Sequence, residues 1–267
     1  MTGRSIETQA LDQTFNKAWP MLQHELDCWT DAGLKASFWW RDDDAVSATP
    51  QLEALDELSQ NFEVPVSIAV IPARINASLT AFMQGRDHFN VLQHGYSHTS
   101  YAAKGVKKIE LGGERNLDSI ITELSAGHQI LSDAFPNHFV PVLVPPWNRI
   151  ESKAYNILQA VGLTGISTVR ARKKSHLVPG LLQINTHLDP ISWRHGRGFI
   201  GSQMAIALLH QHLYLRRTTD RCREEPTGLL THHLDQNDLV WSFCRNLFER
   251  LNQHPAVHWL SARQIWL

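Results

Sequence analysis

The stretch that decides the fold is Lys35-Ala36-Ser37-Phe38-Trp39-Trp40-Arg41-Asp42-Asp43-Asp44. Lys35–Arg41 is a short apolar, aromatic run of strand type, and it stops in three consecutive carboxylates. Adjacent acidic groups at a partly buried strand end repel one another and lose hydration, so they call for a cation. An Asp-rich turn that caps the next helix explains one of the three well and the other two poorly.

Working outward, the same alternation recurs along the chain. Leu11–Trp29 reads as an amphipathic helix ended near Gly33. Pro50–Phe62 is helical by period, with Leu52, Leu55 and Leu58 on one face. Val64–Ile71 is an apolar, β-branched strand, Ile75–Met83 a short helix, and Asn90–Gln93 a short strand ending at His94. Helices are predicted over Leu117–Phe135, Ser152–Ala160, Gly201–Leu215 and Leu239–Leu251. Strands are predicted over Phe139–Val144, Leu163–Val169, Leu181–Asn185, Thr227–His232 and Val257–Leu260. Strands alternating with helices imply a mostly parallel sheet, barrel or doubly wound, with ligands at the carboxyl ends of the strands.

Composition narrows the choice. The 267 residues are 43% hydrophobic and 19% charged, an ordinary globular balance that suits one α/β barrel. The formal net charge of −1 gives no sign of nucleic-acid binding. The basic run Arg170, Arg172, Lys173 and Lys174 reads as a solvated loop. Cys28, Cys222 and Cys244 are too dispersed for a disulfide scaffold or zinc ribbon. No apolar run approaches a membrane span, and Met1–Pro20 lacks the apolar core of a signal peptide, so a cytoplasmic location is the expectation.

Four polar clusters fall at predicted strand ends. Asp42, Asp43 and Asp44 are the first. His94-Gly95-Tyr96-Ser97-His98 is the second: histidines at i and i+4 reach one metal if the segment turns helically. With 15 histidines in the chain such a pair is unremarkable alone. Another, His254 and His258, follows no acidic strand end and encloses Pro255. The third is Val144-Pro145-Pro146-Trp147-Asn148-Arg149, with prolines that fix the backbone and a Trp suited to a sugar ring. The fourth, Thr231-His232-His233, offers a general acid or a ligand. Asp189 and Trp193 follow another short strand.

Taken in order, the set resembles the polysaccharide deacetylase family, carbohydrate esterases with a NodB-type domain. That family carries an Asp-Asp motif after its first strand, then His-x-x-x-His, a Pro-Pro loop, an Asp/Trp motif and a strand ending in His. The likeness runs from Asp43 to His233. It implies a distorted (β/α) barrel of about seven parallel strands over residues 34–267, with residues 1–33 a helical segment packed on it. It implies a metal-dependent deacetylase of N-acetylated sugar or polysaccharide. A hydrolase of a non-sugar amide or imide, and a non-catalytic carbohydrate-binding protein, are the alternatives.

By position, the resemblance makes Asp43 the catalytic base and Asp44, His94 and His98 the metal ligands. Asp42 with Asp43 is the alternative register; Ala45, standing where the family has Gly, favours the first. His232 becomes the general acid, with His233 as alternative, and Asp189 the group that sets its tautomer. Pro146, Trp147, Asn148, Arg149, Tyr96 and Trp193 line the substrate site, and the Tyr96 N–H is a candidate oxyanion donor. The ligand types favour zinc, with cobalt, nickel or iron also fitting. There are two departures. Val144 stands where the family has an Arg that pairs with the base, leaving Arg41 or Arg149 to substitute. Asp42 stands where a hydrophobic residue is usual.

Overall fold

The computed structural model describes residues 6–193, 196–220 and 222–267. Residues 1–5 of the expected N-terminal segment lie outside them. Strands β1 (Ala36–Ala45), β2 (Val66–Val70), β3 (Phe89–His94), β4 (Phe139–Val144), β5 (Gly165–Ile166) and β6 (Leu182–Gln183) pair in that order, all parallel. β7 (Ile191–Ser192) and β8 (Gly198–Phe199) form a small antiparallel pair outside this sheet. β9 (Thr227–Thr231) pairs with β1 in parallel, and β10 (Val257–Trp259) adds to the start of β1.

The ladder also closes from the other side. Past β6 the chain bridges Thr186 to Val169 and Leu188 to Leu229, and the Leu230 N–H donates to the Leu188 carbonyl. Seven parallel strands, β1 to β6 and β9, therefore make a distorted barrel, as expected. The distortion lies at β5 and β6, where regular pairing shrinks to two residues from the longer runs expected.

Eight α-helices are described: α1 (Ile6–Asp31), α2 (Pro50–Phe62), α3 (Ala77–Phe82), α4 (Leu117–Ala134), α5 (Tyr155–Ala160), α6 (Ser202–Thr218), α7 (Asp238–Asn252) and α8 (Ala262–Trp266). Asn76, Asn116 and Asn237 cap α3, α4 and α7 through their side-chain oxygens. Thr49 caps α2, so none of the three aspartates is needed for that purpose. α1 lies against α6 and α7, burying Leu11, Phe15, Leu22 and Leu26 at helical spacing. Each such side chain contributes about 1.5–3 kcal/mol by leaving water. No helix among the described residues is long and apolar enough to cross a membrane.

Strand alternation sorts β1 into two faces. Phe38 and Trp40 pack outward into the core under the helices, whereas Trp39 joins Ala69, Leu92, Val142, Val144 and Ile184. That second cluster fills the barrel interior, and α8 closes its base with Trp266 edge-on to Trp39. Gly228 of β9 leaves room for Trp39, since a Cβ there would collide with its indole. Above this plug the same face of β1 carries Arg41 and then Asp43.

The basic run is a solvated loop only in part. Arg172 is buried, its guanidinium donating to the Gln183 carbonyl, because it lies beside the buried Glu225. The Glu225 carboxylate accepts from the N–H groups of Asn185 and Arg172, both at 3.0 Å, and faces His187 and His212. It thereby ties the chain after β5 and β6 to α6 and β9. Burial opposes its charge, but His187, His212 and the Arg172 N–H outweigh this and hold it below the ordinary glutamate range. Replacing one member of a buried charged cluster leaves its partners unpaired. Glu225→Ala should therefore lower stability by about 3–5 kcal/mol in urea unfolding at pH 7. The gap should narrow as the pH falls through the acid range, because a depressed carboxyl stabilises only while ionised. A loss below about 1 kcal/mol at pH 7 contradicts a structural role for the cluster.

Candidate active site

Arg41 and Asp43 point into the barrel mouth from one strand. The Arg41 guanidinium grips the Asp43 carboxylate with two contacts, Nε to Oδ1 at 2.9 Å and Nη2 to Oδ2 at 3.1 Å. Its remaining donors reach Asn148 Oδ1 at 2.7 Å, Ser167 Oγ at 2.7 Å and the Thr168 carbonyl at 3.3 Å. Arg41 therefore makes the contact with Asp43 that Val144 cannot. Arg149 does not: it turns away and donates to the Lys108 carbonyl.

Asp42 points the other way. It accepts from Thr231 Oγ1 at 2.6 Å and from the His233 backbone N–H at 3.0 Å, and lies 2.5 Å from His233 Nδ1. Both residues are buried outside the lumen. Two of the alternatives raised by the sequence thus lie together on the far side of the ladder from Asp43. Asp42 is engaged with β9 and is not available as a base, and His233 is engaged with Asp42. His232 faces the lumen instead, its Nε2 4.0 Å from Asp43 Oδ2.

Asp44 stands at an irregularity within β1 with φ +75° and turns its carboxylate toward β3. Its Oδ1 lies 3.1 Å from His94 Nε2 and 3.3 Å from His98 Nε2. The His94–His98 segment is a loop and not a helical turn, with Gly95 and His98 both at φ +56°. Only glycine fits at position 95, where a Cβ would strike Glu110 and the Pro146 ring. Ligand atoms bonded at about 2.1 Å to a tetrahedral metal stand about 3.4 Å apart, close to the spacing here.

The donor chemistry fits a divalent cation. His94 Nδ1 lies 2.9 Å from the Val144 carbonyl, which can only accept, so the ring proton sits there and Nε2 keeps its lone pair. Asp44 Oδ1 and His94 Nε2 are buried and make no hydrogen bond. Burial should lower His94, yet Asp44, Asp43 and the Val144 carbonyl raise it. Burial should raise Asp44, yet His94, His232 and His98 hold it far below the usual carboxylate range. The pocket is thus built for positive charge. Ligation at His94 Nε2 would displace the proton that this charge otherwise attracts.

His187, His212 and Glu225 form a second group of the same composition, with both Nε2 atoms 3.6 Å from Glu225 Oε2. Burial lowers both imidazoles, and His212 is pushed down to about 3. In His187, however, Nδ1 accepts the Gly228 N–H at 2.9 Å. The neutral ring must then carry its proton on Nε2, where it faces Glu225 as a donor and offers no lone pair. This trio is a structural cluster by its tautomer.

The remaining predicted residues surround the mouth. Trp147, at φ +54°, lays its ring against His98 at 4.4 Å between centroids, and Pro146 lies against Gly95. Asn148 is spent on Arg41. Trp193 is exposed and meets His232 edge-on at 4.7 Å. Asp189 does not hold His232: its oxygens accept from the Ile191 N–H at 2.9 Å and the Trp193 indole at 2.7 Å. His232 Nδ1 is buried without a hydrogen-bond partner. Burial raises the Asp189 carboxyl, in spite of His232 and those two donors. The Tyr96 N–H points at Glu110 Oε1, 3.3 Å away, and is not free for an oxyanion. Ser167 and Glu110 join the site unsignalled: Glu110 lies outside any motif or period, and nothing marks Ser167 out within the strand expected over Leu163–Val169.

No protein-family model matches the chain, and no curated protein matches it in sequence. Solved structures do match. A Mycobacterium smegmatis protein assigned to the polysaccharide deacetylases aligns at TM-score 0.60 and 15% identity, over 86% of this chain and 89% of that one. A family 4 acetyl xylan esterase from Clostridium thermocellum, in complex with a cobalt ion, aligns at TM-score 0.52 and 9% identity over the same shares. A peptidoglycan deacetylase from Bacillus subtilis aligns at TM-score 0.50 and 10% identity, over 86% and 90%. At these identities the likeness establishes the fold.

One metal per chain is therefore expected, at Asp44, His94 and His98. Protein equilibrated with Zn²⁺ or Co²⁺ and desalted should hold one equivalent by elemental analysis, and Asp44→Asn or His98→Ala should remove it. Two equivalents, or one that survives those substitutions and vanishes with His212→Asn, reverses the assignment of the two trios.

Proposed function

We propose that the chain is a metal-dependent deacetylase that hydrolyses N-acetyl groups on a sugar or polysaccharide. The observation that carries this reading is the placement of Asp43. It is clamped by Arg41, adjoins the Asp44, His94 and His98 trio, and faces His232 across 4.0 Å. Three fold neighbours are described as deacetylases or an esterase acting on acetylated glycans, which supports the same substrate class. Zinc suits a His₂Asp set best, and cobalt, nickel and iron fit it too.

When bound, the metal lowers the pKa of a water and polarises the acyl carbonyl. The chain's own residues do the rest. Asp43 accepts the proton of the attacking water, and Arg41 fixes the orientation of that carboxylate. His232 donates a proton from Nε2 to the amine nitrogen as the carbon–nitrogen bond breaks. Trp147 and Trp193 flank the mouth on the His98 and His232 sides, where sugar rings would stack. Arg41 in the base-pairing role removes the main reason for preferring a non-catalytic protein or an imide hydrolase.

Asp43→Asn should keep the metal and lower kcat on an N-acetylated chitooligosaccharide by about 10²–10⁴-fold. Loss of the metal in that variant contradicts its assignment as base. His232→Ala should lose a similar factor on the amide and much less on an activated acetate ester, whose leaving group needs no proton. Equal losses on both substrates, or full activity on the amide, remove His232 from the acid role.

A further inference from the structure

The loop that carries His98 is held by a carboxylate outside every motif. Glu110 lies in the irregular segment between β3 and α4 and is fully buried. Its Oε1 accepts three donors from consecutive loop residues: the Ser97 N–H at 2.8 Å, Ser97 Oγ at 3.2 Å and the Tyr96 N–H at 3.3 Å. Its Oε2 lies under Gly95. Two neighbours anchor Glu110 in turn. Arg115 donates to its carbonyl at 3.1 Å, and Leu111 bridges in parallel to Ile150 beyond the Pro-Pro turn.

Without this acceptor the Tyr96 and Ser97 N–H groups would be orphaned beside a buried site. The loop also bends through a left-handed His98, a conformation that is unfavourable for a residue other than glycine. A loop with unpaired donors and a strained end has no reason of its own to keep His98 Nε2 beside Asp44.

We infer that Glu110 is the positioning residue for His98, setting the metal affinity of the site without touching the metal. This rests on the reading of Asp44, His94 and His98 as ligands. The test is a double-mutant cycle on Co²⁺ affinity, read by chelator competition and by the visible absorption of bound cobalt. Glu110→Ala should weaken binding about 10–100-fold and alter the spectrum. Glu110→Gln, which keeps the same accepting oxygen, should restore both. In a His98→Ala background, where the weakened Co²⁺ binding is read by direct titration without chelator, Glu110→Ala should change affinity no further, because its effect runs through that ligand. If the Ala variant does not fold, Glu110→Asp, with the carboxylate drawn back by one methylene, should weaken binding and show the same non-additivity. An unchanged affinity in the Ala or Asp variant, or a loss that adds fully to that of His98→Ala, overturns the inference. A wild-type protein that binds no Co²⁺ fails the metal reading instead, and the two failures are distinct.

Discussion

A guanidinium buried inside a barrel imposes conditions on everything around it. Taking Arg41 out of water costs several kcal/mol unless its charge is balanced and its donors are used. Asp43 supplies the charge from the same strand, two residues on. The donors are used only because the strand ends arrive in register: Asn148 after β4, and Ser167 and the Thr168 carbonyl after β5. Two separate segments must therefore converge on the end of β1 before the lumen can hold this side chain. The distortion of the barrel at β5 and β6 lies beside this convergence. There the ladder leaves regular pairing, and Asn185 accepts from Thr168 through its N–H and Oγ1.

Much of the site was legible because β1 obeys a period of two. Once Lys35–Arg41 is read as a strand, Arg41 and Asp43 share a face and Asp42 takes the other. The same parity at the end of β9 separates His232 from His233. The two opposed pairs then meet across the β1–β9 ladder, Asp43 with His232 inside and Asp42 with His233 outside. What parity could not decide was the partner of Asp43, since Arg41 and Arg149 were both plausible from the sequence. That choice depends on where the turn after β4 points, and a left-handed Trp147 and Asn148 set that direction. Asp44 is the other exception, because its positive φ takes it out of the alternation.

Features without a period were not legible. Glu110, the β7–β8 pair and helix α8 carry no pattern that separates them from loop. The buried Arg172 sat in a run that composition alone reads as solvated, because burial there is decided by a glutamate 53 residues away. The two His₂-carboxylate trios make the same point at the level of single protons. Residue type cannot tell them apart, and neither can spacing. What separates them is whether the far ring nitrogen meets a carbonyl, as in His94, or an N–H, as in His187.

The left-handed residues then fall into place. Asp44, Gly95, His98, Trp147 and Asn148 all have positive φ, and all lie at the mouth of the barrel. Four of them are not glycine, so the backbone there is held against its own preference. Regular strands cannot turn three donor groups toward a common point, since alternation sends neighbours to opposite faces. The irregularity of β1 at Asp44, and the loop after His94, are what let the carboxylate and both imidazoles meet. The cost is offset by buried groups beneath the mouth that hold these turns by hydrogen bonds: Arg41 under Asn148, and Glu110 Oε1 under the 95–98 loop. The convergence of Asp44, His94 and His98 therefore rests on the barrel's own hydrogen bonding, above all at Arg41 and Glu110.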